Sequence, residues 1–252
     1  MNKKVVILIS IIAGVAVMAA GIGLLYNNFK VRKQAKDIYD DANSEYVTVG
    51  EDAAESSGDE WWSKADVKLD EAMEDYPDVV AWIYFEDEDI SYPVVFAKGD
   101  NEKYMKTTYS GTENSAGAIF LDGASDPDLS DPLTLIYGHN MRDGSMFGKL
   151  DKYKENRDYY EGHQYFQIHT KNGVYRYQIF ACSDVDATDD VYSAIGANPK
   201  EFWNVVGSLI DKGNYRTEVA VDASDHVVTL STCVDDDAKR FIVSAVRVSE
   251  HS

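Results

Sequence analysis

A histidine and a cysteine, each closing a run of apolar and β-branched residues, are the side chains here best suited to chemistry. LTLIYGHN delivers His139, and VVTLSTC delivers Cys233. Strand ends are where a rigid scaffold presents reactive groups at a surface cleft. A thiol needs a nearby base to become a nucleophilic thiolate at neutral pH, and imidazole is the usual partner; the two must meet only in space. Taken alone the pairing is a weak signal, since five histidines and two cysteines allow accidental pairs. Arg240 sharpens it. It opens the run RFIVSAVRV, and with VDDDAK as the loop of an antiparallel hairpin it returns beside Cys233. A guanidinium there would stabilise the oxyanion of a tetrahedral intermediate. Spacing alone favours a plainer role, an ion pair with Asp235, Asp236 or Asp237.

Other reactive groups have simpler readings. In an exported protein the default for two cysteines is a disulfide, here Cys182–Cys233, which would make the chain a non-catalytic acidic binding module. Cys182, however, alternates with apolar neighbours in YQIFACSDV and reads as a small buried residue. His163, His169, His226 and His251 have no matched partner and read as surface or turn residues. The acidic stretch from Asp184 to Asp190 lacks the glycine and terminal glutamate of a calcium loop and reads as a solvated charge run. No metal site and no cofactor are expected.

The elements that must position these groups are mostly strands. Val79–Phe85, Ile90–Ala97, Gly117–Leu121 and Leu133–Tyr137 are short, β-branched and aromatic, with Pro93 marking an edge or bulge. YFQIHT and VYRYQIFAC flank Lys171-Asn172-Gly173, a hairpin signal because Asn-Gly suits positive φ angles. TEVAV, HVVTLSTC and RFIVSAVRV complete the strands. Ala65, Leu69, Ala72 and Met73 recur at helical spacing before Pro77. Pro199 opens a second helix whose apolar face is Phe202, Val205, Val206, Leu209 and Ile210, ended by Gly213. Many strands with few helices predict a closed barrel or sandwich with peripheral helices.

The amino-terminal region points to a membrane. Val5–Tyr26 is apolar but for Ser10, long enough as a helix to cross a hydrocarbon core of about 30 Å. A cleaved signal peptide ending near Val17-Met18-Ala19 is the rival; apolar residues continuing to Leu25 favour a retained anchor. Lysines and arginines flank the run on both sides, which leaves its orientation open. Residues 27–60 are polar and acidic and predict a solvated stalk, with the globular domain spanning 61–252. A net charge of −20 repels phosphate backbones, so nucleic acid is excluded as a partner.

TLSTC followed by an arginine opening the final strand resembles the sortase signature. IYGHNMRDGSMFGKL is similar to the histidine region of class B sortases, as are GAIFLD, DVVAWI and ISYPVV to its early strands, and the helix between Cys182 and Cys233 to its helical insertion. The resemblance spans Trp61 to Val248. The loop from Cys233 to Arg240 is shorter than is common, which keeps Lys239 as a rival cation. The resemblance implies an eight-stranded barrel on the outer face of a Gram-positive cell, held by a single membrane pass. Cys233 would attack a threonyl carbonyl in the C-terminal sorting signal of a secreted protein. His139 would protonate the departing amine, and a peptidoglycan cross-bridge or a pilin lysine would resolve the thioacyl-enzyme. Tyr137 and Ser231 would line the substrate groove, with Asn101 and Met105 touching the signal peptide. A cysteine protease or amidase with the same dyad is the alternative.

Overall fold

Runs rich in β-branched and aromatic residues become strands wherever a partner lies alongside. The computed structural model describes the backbone of residues 3–50, 61–154, 156–196, 198–233 and 238–252, and their side chains except those of 4–12 and 233. The elements are α1 (Lys3–Tyr46), β1 (Val47–Val49), β2 (Ala65–Val67), α2 (Leu69–Asp75), β3 (Val79–Phe85), β4 (Ser91–Phe96), β5 (Ile119–Leu121) and β6 (Leu133–His139). They continue with α3 (Arg157–Gly162), β7 (Tyr165–Thr170), β8 (Gly173–Asp186), α4 (Pro199–Lys212), β9 (Val227–Cys233) and β10 (Lys239–His251). Eight strands close a barrel in the order β10-β8-β7-β3-β4-β5-β6-β9, and β1 and β2 form a separate pair.

Two buried clusters lie on opposite faces of the β6–β9–β10 wall. Ile136, Leu230 and Val243 belong to the cluster that fills the barrel. Leu133, Leu135, Val227 and Ile242 belong to an outer cluster roofed by Phe202, Val206 and Leu209 of α4. This is the period-2 alternation of a strand buried on both faces. The roof helix is well begun: Pro199 occupies its first turn, Asn198 Oδ1 accepts from the N–H groups of Lys200 and Glu201, and Glu201 Oε2 accepts from Asn198 N.

The structure departs from the sequence reading in several places. The folded body begins well before Trp61. Ala35, Tyr39, Ala42 and Tyr46, spaced by three and four, bury one face of α1 on the barrel, and Asn43 Nδ2 donates to Ser91 O at 3.0 Å. The part of the expected stalk over residues 51–60 lies outside the described residues. Val5–Tyr26 is helical within α1, yet among the described residues no helix is long and apolar enough to cross a membrane; the side chains of residues 4–12 are not among them. Thr217–Val221 forms no ladder: β8, which it touches where Thr217 Oγ1 donates to Phe180 O at 2.7 Å, is already paired on both edges with β7 and β10. In the hairpin, Thr170 pairs Gly173, and the positive φ of +137° falls on Gly173 alone. A side chain there would meet His251 O at 2.5 Å.

Candidate active site

Strand register brings three distant residues level. β6 and β9 run parallel, with His139 paired to Cys233. β9 and β10 run antiparallel, with Arg240 paired to Cys233. Neighbouring strands are about 4.8 Å apart, so the backbones of His139 and Arg240 flank Cys233 at one strand spacing on either side. On β6 the outer-face parity Leu133, Leu135, Tyr137 leads to His139. The apolar stripe under α4 therefore ends in reactive positions where the roof stops.

The imidazole is oriented by the chain itself. His139 Nε2 lies 2.7 Å from Met105 O. A carbonyl oxygen only accepts, so Nε2 carries the hydrogen and Nδ1 is left to take or give a proton. Met105 O thereby does for His139 what a carboxylate does in a triad. The main-chain oxygen of His139 accepts from Phe147 N at 3.0 Å, which pins the strand end from its other side.

The two cations sort themselves by register. Lys239 is paired with Asp186, its Nζ 2.7 Å from Oδ1, whereas Arg240 stands opposite Cys233 and donates from Nη1 to Lys239 O at 2.7 Å. The expected alternative partners Asp235, Asp236 and Asp237 lie outside the described residues.

The other expected substrate contacts divide. Tyr137 is half-buried and donates to Asp122 Oδ2 at 2.8 Å. Burial first, and then the Asp122 carboxylate, push the Tyr137 phenol well above its ordinary range, while the Arg240 charge acts against them. Asn101 Nδ2 donates to the same carboxylate oxygen at 2.9 Å and its Oδ1 accepts from Gly123 N at 2.7 Å, so Asn101 braces Asp122. Ser231 is 2% exposed and shares a 2.9 Å hydrogen bond with the Tyr192 hydroxyl, which removes it from any open groove wall. Met105 exposes its side chain, and its carbonyl holds the imidazole. Asp122 and Tyr192 escaped the sequence reading. Asp122 follows the strand run GAIFL directly, which was its only local signal.

Residues 83–248 match the family model for the sortase domain. The chain belongs to the sortase family. It is therefore a cysteine transpeptidase of cell-wall protein anchoring in the general sense of that family. It is 32% identical to Sortase B of Listeria monocytogenes over 211 residues, covering 83% of this chain and 80% of that one. It is 28% identical to Sortase B of Staphylococcus aureus over 171 residues, 67% of this chain and 69% of that one. Among solved structures, sortase B from B. anthracis superposes with a TM-score of 0.70 at 26% identity, covering 88% of this chain and 99% of that one.

The remaining reactive groups of this sortase are accounted for by its core. The disulfide reading is overturned: Cys182 is a free thiol, buried in the cluster that fills the barrel, with Tyr215 OH donating to its Sγ at 3.4 Å. Cys182 pairs Val243, which pairs Leu230, so it sits two strands and three residues from Cys233. That is a Cα separation of roughly 14 Å, well beyond a disulfide's reach. Burial, only partly offset by the Tyr215 hydrogen bond, pushes the Cys182 thiol up to about 12. His169 is no surface residue either: it is 5% exposed on β7, and burial lowers its imidazole to about 4. The acidic run stays at the surface as expected, with Asp184, Asp186 and Asp190 exposed, and three of its carboxylates form ion pairs there: Asp184 with Lys154, Asp186 with Lys239 and Asp189 with Lys212.

Proposed function

We propose that this sortase cleaves a C-terminal sorting signal at a threonyl carbonyl and transfers the exported protein to an amine of the cell wall or of a pilin. The observation that carries the reading is the pairing of His139 and Arg240 with Cys233 on adjacent strands. The Cys233 thiol first passes its proton to His139 Nδ1, and the sulfur then attacks the carbonyl carbon. Charge that builds on the oxygen is met by the Arg240 guanidinium. As the C–N bond breaks, His139 Nδ1 gives its proton to the departing amine, leaving a thioester. An incoming amine then attacks that thioester, Nδ1 takes its proton, and sulfur leaves as the amide forms. The Met105 carbonyl supports this by holding Nε2 protonated throughout.

Tyr137 and Met105 border the peptide in this reading, with Asn101 behind them fixing Asp122. Substrate and acceptor both reside outside the cytoplasmic membrane. The apolar run Val5–Tyr26 is accordingly assigned as a single-pass anchor with the barrel on the outer side.

The test is a peptide-library scan with the full chain in detergent micelles, supplied with triglycine as acceptor. The expected product is the new amide, formed by the wild type and not by Cys233→Ala. Transfer by the Cys233→Ala variant would refute the assignment, and free acid as the main product despite abundant amine would make the chain a hydrolase.

A further inference from the structure

The contact that orients His139 does not stand by itself. Met105 O belongs to the segment running from Tyr104 to Ala118, which folds back so that Ala118 N donates to Tyr104 O at 3.0 Å. Gly117 sits at the tightest point of that fold. Its φ is +58°, and a Cβ on it would lie 2.5 Å from Tyr104 O, 2.9 Å from Met105 O and 3.1 Å from His139 Cδ2. Gly117 is therefore backbone pressed directly against the imidazole and against the carbonyl that holds it.

What fixes Gly117 comes from the amino-terminal helix. Tyr39, 5% exposed on α1, donates its hydroxyl hydrogen to Gly117 O at 2.6 Å. Two turns earlier, Val31 O accepts from Asn114 Nδ2 at 3.0 Å, while Asn114 O accepts from Gly117 N at 3.0 Å. The same Tyr39 ring meets Tyr92 edge-on, centroids 5.3 Å apart. The Tyr92 hydroxyl accepts from Met146 N at 2.9 Å, and the next residue, Phe147, donates its N–H to His139 O. A single side chain on α1 thus reaches both segments that hold His139, one at its imidazole and the other at its main-chain oxygen.

We infer that the barrel-docked part of α1 is a positioning element for His139, with Tyr39 as the positioning residue, so that the segment leading from the membrane also sets the geometry of catalysis. The inference rests on His139 acting as the acid/base partner of Cys233. Its physical basis is the steep dependence of group transfer on placement, where an error of about 1 Å costs on the order of a hundredfold in rate. Tyr39 touches neither substrate nor sulfur in this account; it acts through Gly117 and Met105.

The experiment compares Tyr39→Phe with Tyr46→Phe in the full chain in detergent micelles. Tyr46 is a close control: it lies on the same helix, is likewise buried and loses an equivalent hydroxyl bond, but to Asp75 at 2.7 Å. Turnover and KM are measured with the peptide selected in the library scan and triglycine. The ring-nitrogen shifts of His139 are read with 15N-histidine labelling. Tyr39→Phe is expected to lower kcat about tenfold with KM within about twofold, and to move the His139 shifts toward those of mixed tautomers. Tyr46→Phe is expected to lower the melting temperature while leaving kcat and the shifts at wild-type values. Unchanged kcat and shifts in Tyr39→Phe, or the same losses in Tyr46→Phe, would overturn the inference while Cys233→Ala stays inactive. Transfer by Cys233→Ala would instead overturn the assigned chemistry and the inference with it.

Discussion

Arg240 and Lys239 are adjacent cations with different prospects, because one is engaged by Asp186 and the other stands level with Cys233. A guanidinium offers a planar fork, an ammonium a point charge. Arg240→Lys is therefore expected to lower kcat by about a hundredfold, the scale of losing one oxyanion donor, with little change in KM or melting temperature. Steady-state kinetics on purified variants checks it, and a wild-type kcat would return Arg240 to an ordinary ion-pairing role. At this scale the sequence is informative about place: His139 and Cys233, read as closing two strand runs, do stand level at the ends of β6 and β9. It is uninformative where a role depends on what lies across the fold. The family resemblance puts Ser231 in the substrate groove, but its hydroxyl is buried against that of Tyr192. Tyr39 carries no local sign of its bond to Gly117, seventy-eight positions away.

Elements divide the same way. β3, β7 and α4 begin and end close to where the pattern places them, because each carries its own boundary signals: β-branched runs, or a capping asparagine with proline behind it. Thr217–Val221 has strand composition, but the strand it touches, β8, already has both edges paired in the closed barrel, and strand formation is a property of pairs. The docking face of α1 went unread because Ala35, Tyr39, Ala42 and Tyr46 are a thin stripe among charged residues, and composition outweighed spacing. The energetics of α4 separate its start from its face. Asn198→Ala removes a cap and is expected to cost about 1 kcal/mol. Phe202→Ala, which opens a cavity under the roof, is expected to cost about 3–5 kcal/mol. Chemical denaturation of the two variants measures both, and equal losses would show that the helix docks weakly.

For the molecule as a whole, acid is the expected weakness. Unfolded His169 takes up a proton below its ordinary 6.5, whereas burial delays this to about 4 in the folded state. Between those values the unfolded chain binds more protons, so stability falls as pH falls, by on the order of 3 kcal/mol across the window. Glu88 adds a lower window. Burial would raise its carboxyl, but hydrogen bonds from Lys152 and Tyr159 prevail and hold it at about 2 against an ordinary 4.5. Its contribution is present above 4.5 and is lost as pH drops toward 2. Unfolding midpoints measured between pH 8 and pH 4 are expected to be flat above about 6.5 and to decline below it, with the upper part of the decline abolished in His169→Phe. A decline unchanged in that variant would assign it to other groups.

The parallel pairing of β6 with β9 has a consequence in time. Parallel neighbours cannot be joined by a tight turn, and here the connection contains α3, β7, β8 and α4. Such long-range closure is slow, on the millisecond-to-second scale typical of non-local β topologies. Every earlier species along the route has its imidazole and its thiol on unjoined pieces of chain. Closure of this wall and the meeting of His139 with Cys233 are thus one event, so a partly folded copy lacks the pair on which the proposed chemistry depends.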